Sequence, residues 1–135
     1  MAAPRAGAGE VLHVLEGIES DGGEVSVDLF AEAHAASFPY AERGVLSEIH
    51  KPASALRAPG AVIALGELAP GRYALFAMHD ENGNGDLDRN LFGIPTESYG
   101  FSNDAAGTVG PPSFDAAAIE VKGDAPTRIV IRLAH

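Results

Sequence analysis

Apolar and polar positions along the chain fall into short runs with a period near two. No stretch carries the i, i+3, i+4 stripe of a long amphipathic helix. In "EVSVDLF" (24–30), Val25, Val27 and Leu29 share one face, while Ser26 and Asp28 point the other way. "EVLHVLEGI" (10–18) is apolar at Val11, Leu12, Val14, Leu15 and Ile18, and the Gly-rich "SDGG" (20–23) follows it. The two runs and the turn between them predict an antiparallel hairpin.

Further strands are predicted in "AVIALGEL" (61–68), in residues 72–79 after the Pro70-Gly71 turn, in "AAIEVK" (117–122) and in "TRIVIRLA" (127–134). In the last of these, Ile129, Ile131 and Leu133 face one way, and Arg128, Val130 and Arg132 face the other. The "GDAP" turn joins the last two strands. Residues 31–60 are Ala-rich at first and broken by Pro39, Pro52 and Pro59, which suits short helical turns or an irregular connection. Short strands joined by Gly/Pro turns indicate an all-β antiparallel sandwich. One domain is expected over residues 10–135, behind a flexible tail, "MAAPRAGAG", at 1–9.

Residues 80–116 contain no convincing element, and a structureless loop of that length is uncommon in a compact domain unless it is functional. This one carries Phe92, Tyr99, Phe101 and Phe114, with Leu87, Leu91 and Ile94. Such side chains should pack. The loop is therefore expected to be ordered, and a bound cation would supply the organising energy.

Charge and composition narrow the chemistry. A net charge of -10 offers nothing to neutralise a run of phosphates, which argues against nucleic-acid binding. Scattered Lys and Arg make no polybasic membrane patch, and no apolar run is long enough to cross a bilayer. The absence of cysteine removes disulfides, thiolate zinc sites and Cys nucleophiles. The first residues lack the apolar segment of a signal peptide.

The stretch "HDENGNGDLDRN" (79–90) carries the most specific pattern. Asp80, Asn82, Asn84, Gly85, Asp86 and Asp88 match the D-x-[DN]-x-[DN]-G opening of an EF-hand calcium loop. Side-chain oxygens at positions 1, 3 and 5 can converge on one hard cation. Gly at position 6 allows the sharp turn, position 7 offers a backbone carbonyl, and position 9 offers a carboxylate. Two features depart from the EF-hand. Position 12 is Leu91 rather than Glu, and a strand rather than a helix leads in. Glu97 and Asp104 are candidates for the missing carboxylate. Calcium suits the many oxygens better than magnesium, with a dissociation constant on the order of 10⁻⁴ to 10⁻³ M. An Asn/Gly turn whose side chains cap their own backbone would explain part of the pattern without any metal.

His79 beside Asp80 is the one adjacent His/Asp pair, but neighbours on a strand point to opposite faces and would not pair with each other. The other histidines lack zinc-ligand spacing, and Ser47, Ser98, Ser102 and Ser113 lie in no G-x-S-x-G context. No catalytic residue is assigned. "FGIPTESYGFSNDAAGTVGPPSF" (92–114) interleaves aromatics with polar residues. Glu97, Tyr99, Phe101 and Asn103 are its candidate ligand-binding positions, although anchoring of the loop to the sandwich accounts for the same aromatics.

The segment "HDENGNGDLDRNLFGIPTESYGFSNDAAGTVGPPSFDAAAI", preceded by "LAPGRYALFAMHD" and by "GEVSVDLF" nearer the start, resembles the bacterial family catalogued as domain of unknown function twenty-one forty-one. The likeness covers nearly all of residues 10–135. It implies a small exported protein, periplasmic or secreted, without an established activity. The "L-x-P-G-x-Y" turn also resembles those of transthyretin-like and carboxypeptidase-regulatory sandwiches, so an Ig-like or transthyretin-like sandwich with one long ordered loop is expected. The function expected is a non-enzymatic cell-envelope module with a calcium loop at 80–88, whose partner is a protein or glycan. A hydrolase with its cleft near His79 and the 92–114 loop, and a transthyretin-like small-ligand carrier, are the alternatives.

Overall fold

A computed structural model describes residues 10–18, 20–81, 98–106, 111–123 and 125–133. The chain forms two β-sheets with a few short helical turns, a β-sandwich-like arrangement. Its strands are β1 (Glu10–Glu16), β2 (Glu24–Ala31), β3 (Ser47–Pro52), β4 (Ile63–Glu67), β5 (Gly71–Asp80), β6 (Tyr99–Phe101), β7 (Ile119–Val121) and β8 (Thr127–Arg132). Two single-turn helices, α1 (Ala53–Leu56) and α2 (Phe114–Ala117), and 3₁₀ turns at Glu32–His34, Ala41–Arg43 and Ser102–Asp104 complete the described elements. None of the described helices is long and apolar enough to cross a membrane.

The smaller sheet has the order β4-β1-β8. The larger runs β3-β2-β5-β6, and β7 pairs with β5 beside β6. The hairpin expected over residues 10–30 is not formed. β1 pairs with β4 and β8 in one sheet, while β2 pairs with β3 and β5 in the other. The Gly-rich turn at 20–23 is instead a crossover between sheets. The glycines satisfy either connection, and only long-range pairing distinguishes them. The expectation of a wholly antiparallel fold is also corrected, because β1 and β8 run parallel from Val11↔Thr127 to Glu16↔Arg132.

Two strands escaped the sequence pattern. β3 carries one apolar residue facing the core, Ile49, and lies at the sheet edge. β6 has three residues and belongs to the stretch expected to lack elements, as do α2 and the Ser102–Asp104 turn. The expected alternation of β8 is present: Ile129, Ile131 and Leu133 are buried and Arg128, Val130 and Arg132 exposed. The 1–9 tail lies outside the described residues.

The main core fills the space between the sheets. Val27 and Leu29 of β2 stand opposite Ala77 and Leu75 of β5, with Val25 and Tyr73 on the same inner face, and Val11, Ile63, Ile129 and Ile131 close over them from the smaller sheet. At Gly100 of β6 the two sheets come close together. A Cβ there would stand 2.6 Å from Ile131 Cγ2 and 2.8 Å from the Arg132 carbonyl oxygen, so the backbone contact requires glycine.

His13 is fully enclosed in this apolar layer, its Nδ1 3.3 Å from the Ile129 carbonyl oxygen. Burial lowers its pKa to about 4, against the smaller opposing effect of that backbone contact. The unfolded chain therefore binds a proton that the folded one excludes between about pH 6.5 and 4. Stability should fall through that window as pH falls, by on the order of 3 kcal/mol. Urea unfolding of the wild type and of His13→Leu across pH 4–8 checks this, with the wild type gaining stability relative to the variant as the pH rises from 4 to about 6.5.

Candidate functional site

The larger sheet is covered on both sides, and its outer face carries the chemistry. Pleating sends Val25, Val27 and Leu29 inward and Ser26, Asp28 and Phe30 outward. Phe30 joins Phe38, Ala74, Phe101, Phe114 and Ala117 in a second apolar cluster on that outer face. Phe38 meets the rings of Phe30, Phe101 and Phe114 edge-on at 5.0, 5.9 and 6.1 Å between centroids, and Phe76 stacks on Phe101 at 5.1 Å.

Polar contacts fix this layer from beneath. The Ser102 hydroxyl donates to the Ala117 carbonyl at 2.5 Å and accepts the Leu75 N–H at 2.9 Å, joining α2 to β5 from a fully buried position. Arg72 donates to Glu32 at 2.7 Å and to Asp115 at 2.9 Å, contacts that raise its pKa. Sequence reasoning assigned no role to Ser102, because a serine after an aromatic strand carries no spacing that marks it as a core hub.

The polar loop leaves the end of β5 through a closed neck. The His79 N–H donates to the Ser98 carbonyl at 2.9 Å, which brings both ends of the 81–97 connection together. His79 is fully buried on the inner row opposite Val25, and its Nε2–H donates to the Gly22 carbonyl at 2.7 Å. Asp80 lies on the opposite face, in register with Glu24 and 5% exposed. The two neighbours thus face apart, as strand geometry requires. An enclosed His79 ring held by a backbone carbonyl gives the hydrolase reading no support. Gly23 (φ 68°) completes the neck, because a Cβ there would overlap the Asp80 carbonyl oxygen.

Of the expected metal ligands, Asp80 alone is among the described residues; Asn82, Asn84, Asp86 and Asp88 lie outside them, as does Glu97. Among the described residues no group of three or more His, Cys, Asp or Glu side chains is placed to hold a metal. Asp104, considered as a completing carboxylate, accepts the Arg132 N–H at 3.1 Å and so covers the edge of β8. The remaining candidate positions sit in the buttress. Tyr99 is half-buried opposite Met78, with its ring edge-on to Phe101 at 6.0 Å. Phe101 is buried in the cluster, and the Asn103 amide donates to the Ala118 carbonyl at 2.6 Å.

Beside the aromatic layer lies a group of titratable side chains to which the sequence pattern assigns no role. Asp28 stands directly opposite Glu48 on β3 and Phe76 on β5, and Ser26 stands opposite His50 and Met78. Partial burial, then the nearby Glu48, push the Asp28 carboxyl up to about 7, while His50 opposes the shift and Glu42 adds to it. The alternation of "VSVDLF" placed Asp28 correctly on the outward face. What it could not supply was the covering layer, built from residues far along the chain.

These features define a two-sheet β protein with a buttressed outer sheet face and a polar loop closed at its neck. The chain belongs to the bacterial family described as "uncharacterized protein conserved in bacteria", DUF2141, whose model matches residues 14–129. No curated protein and no solved structure matches the chain.

Two outcomes follow from this geometry. Ser102→Ala leaves the Leu75 N–H without its partner and should lower stability by about 1–3 kcal/mol, read by chemical denaturation. Asp28 binds its proton more tightly folded than unfolded, so its stabilising contribution is full below about pH 3.8 and is lost as pH rises to about 7. Asp28→Asn should therefore gain stability relative to the wild type across that window, by at most on the order of 3 kcal/mol, as read by thermal melts at successive pH values.

Proposed function

We propose that this protein is a non-enzymatic cell-envelope module whose loop at 80–88 binds calcium, with Asp80, Asn82, Asn84, Asp86 and Asp88 as the ligand positions. The observation that carries the reading is the place of Asp80, the first ligand position, on the last residue of β5. It stands where the His79–Ser98 hydrogen bond gathers both ends of the loop. A cation loop needs such an anchor, because convergence of oxygens from one short segment is entropically costly unless the ends are already held. The acidic balance of the chain favours a cationic ligand.

The two-sheet arrangement and the "LAPGRYALF" strand entry support a transthyretin-like or Ig-like variety of sandwich. A periplasmic or secreted location rests on the family resemblance, and a protein or glycan partner would meet the loop and the segment that follows it.

Calcium at several millimolar should raise the melting temperature by a few degrees, equivalent to about 1–2 kcal/mol for a site of submillimolar to millimolar affinity. Asp80→Ala and Asp88→Ala should each abolish the shift without preventing folding. An unchanged midpoint in the wild type, or an equal shift in both variants, would remove calcium from the reading.

A further inference from the structure

The pairing of Asp28 with Glu48 is unfavourable for the sheet that contains it. Directly opposed side chains on antiparallel strands have Cβ atoms about 4.5–5.5 Å apart, and like charges at that spacing destabilise the pair. Asp28 is also half-buried on the central strand β2, and among the described residues no hydrogen bond or ion pair reaches its carboxylate. A desolvated carboxyl without a partner is costly. When local rules are broken in this way without a compensating contact, the position is expected to serve something other than folding.

A second observation comes from the next position on the same face. Ser26 is 8% exposed, points outward between Glu24 and Asp28, and its hydroxyl has no hydrogen-bond partner among the described residues. It stands opposite His50, whose Nδ1 lies 4.0 Å from Glu24. The apolar side of the group is Phe76, opposite Asp28 and only partly buried, its ring stacked on Phe101. The outward-facing basic residue of this sheet, Arg72, sits at the far end of β5 and is engaged by Glu32 and Asp115. The neighbouring Arg43, beside Glu42, lies over the Tyr40 ring at 4.6 Å.

We propose that Ser26, Asp28, Glu48 and Phe76 form a subsite for an organic ammonium group, distinct from the calcium loop and independent of it. The ammonium N–H groups would be donated to the two carboxylates and the Ser26 hydroxyl, satisfying the acceptors that the fold leaves without donors. The attached alkyl chain would lie along the partly exposed Phe76 ring, where a cation beside an aromatic face gains further attraction. A multivalent metal ion fits less well, because the described residues place no three acidic or imidazole ligands together. Binding a cation favours the ionised form of Asp28, so uptake near neutral pH releases a fraction of a proton. Glu48 and His50 from β3, Glu42 from the Ala41–Arg43 turn, Glu24 from β2, Asp80 from the end of β5 and Tyr99 from β6 are the described titratable groups on this face.

The test is calorimetric and NMR titration of the whole chain with n-butylammonium chloride at constant ionic strength and saturating calcium. Methyl glucoside is the neutral control. The expected result is saturable binding, amide shifts centred on Ser26, Asp28 and Phe76, and heats that differ between buffers of unequal ionisation enthalpy. Asp28→Asn and Glu48→Gln should each weaken binding roughly tenfold or more, and Asp80→Ala should leave it intact while losing the calcium response. Absence of saturation, equal binding of methyl glucoside, full retention in Asp28→Asn, or loss in Asp80→Ala alone would each overturn the subsite. The last result would move the ammonium to the loop.

Discussion

The eight-residue antiparallel register between β2 and β5 is the constraint on which the remaining structure depends. It runs without a shift from Glu24↔Asp80 to Ala31↔Tyr73, and β5 pairs on its other side with β6 and β7. A slip of one residue would exchange the faces of a whole strand, sending Leu75 and Ala77 outward and Phe76 into the space between the sheets. The same register sets the neighbours of every outward polar group. Asp28 meets Glu48 and Phe76 because β2 holds β3 and β5 in step.

Dressing a sheet on both faces demands two unlike coverings. The inner one is a second sheet whose aliphatic residues repeat at alternate positions. The outer one is assembled from single residues on short turns, with Phe38, Phe101 and Phe114 converging from three separate segments. Ser102 and Arg72 supply the directional contacts that an edge-to-face aromatic cluster lacks, the first from within and the second from the rim. The outer layer leaves Asp28 half-buried, with Phe76 on one side and Glu48 on the other.

How much of this was legible in the sequence follows from the same asymmetry. β5 and β8 announce themselves, because a strand against a sheet repeats its apolar residues every second position. β3, with Ile49 as its one core residue, and β6, with a glycine at its centre, lack that repeat and are fixed by their neighbours. The crossover after β1 reads as a hairpin since turn residues encode local geometry and not the destination of the next strand. The opposition of His79 and Asp80 was visible in the strand period. The environment of Asp28 was not, since its covering and its opposing carboxylate belong to other segments.

The parallel pairing of β1 with β8 has a mechanical consequence. Six residue pairs, from Val11↔Thr127 to Glu16↔Arg132, join the first and last strands of the described fold. Since both strands run the same way, the start of β1 and the end of β8 lie at opposite ends of their shared ladder. Tension applied between those points loads the ladder hydrogen bonds in shear, all together, instead of peeling them one at a time. The fold is therefore arranged to bear a pull along its smaller sheet.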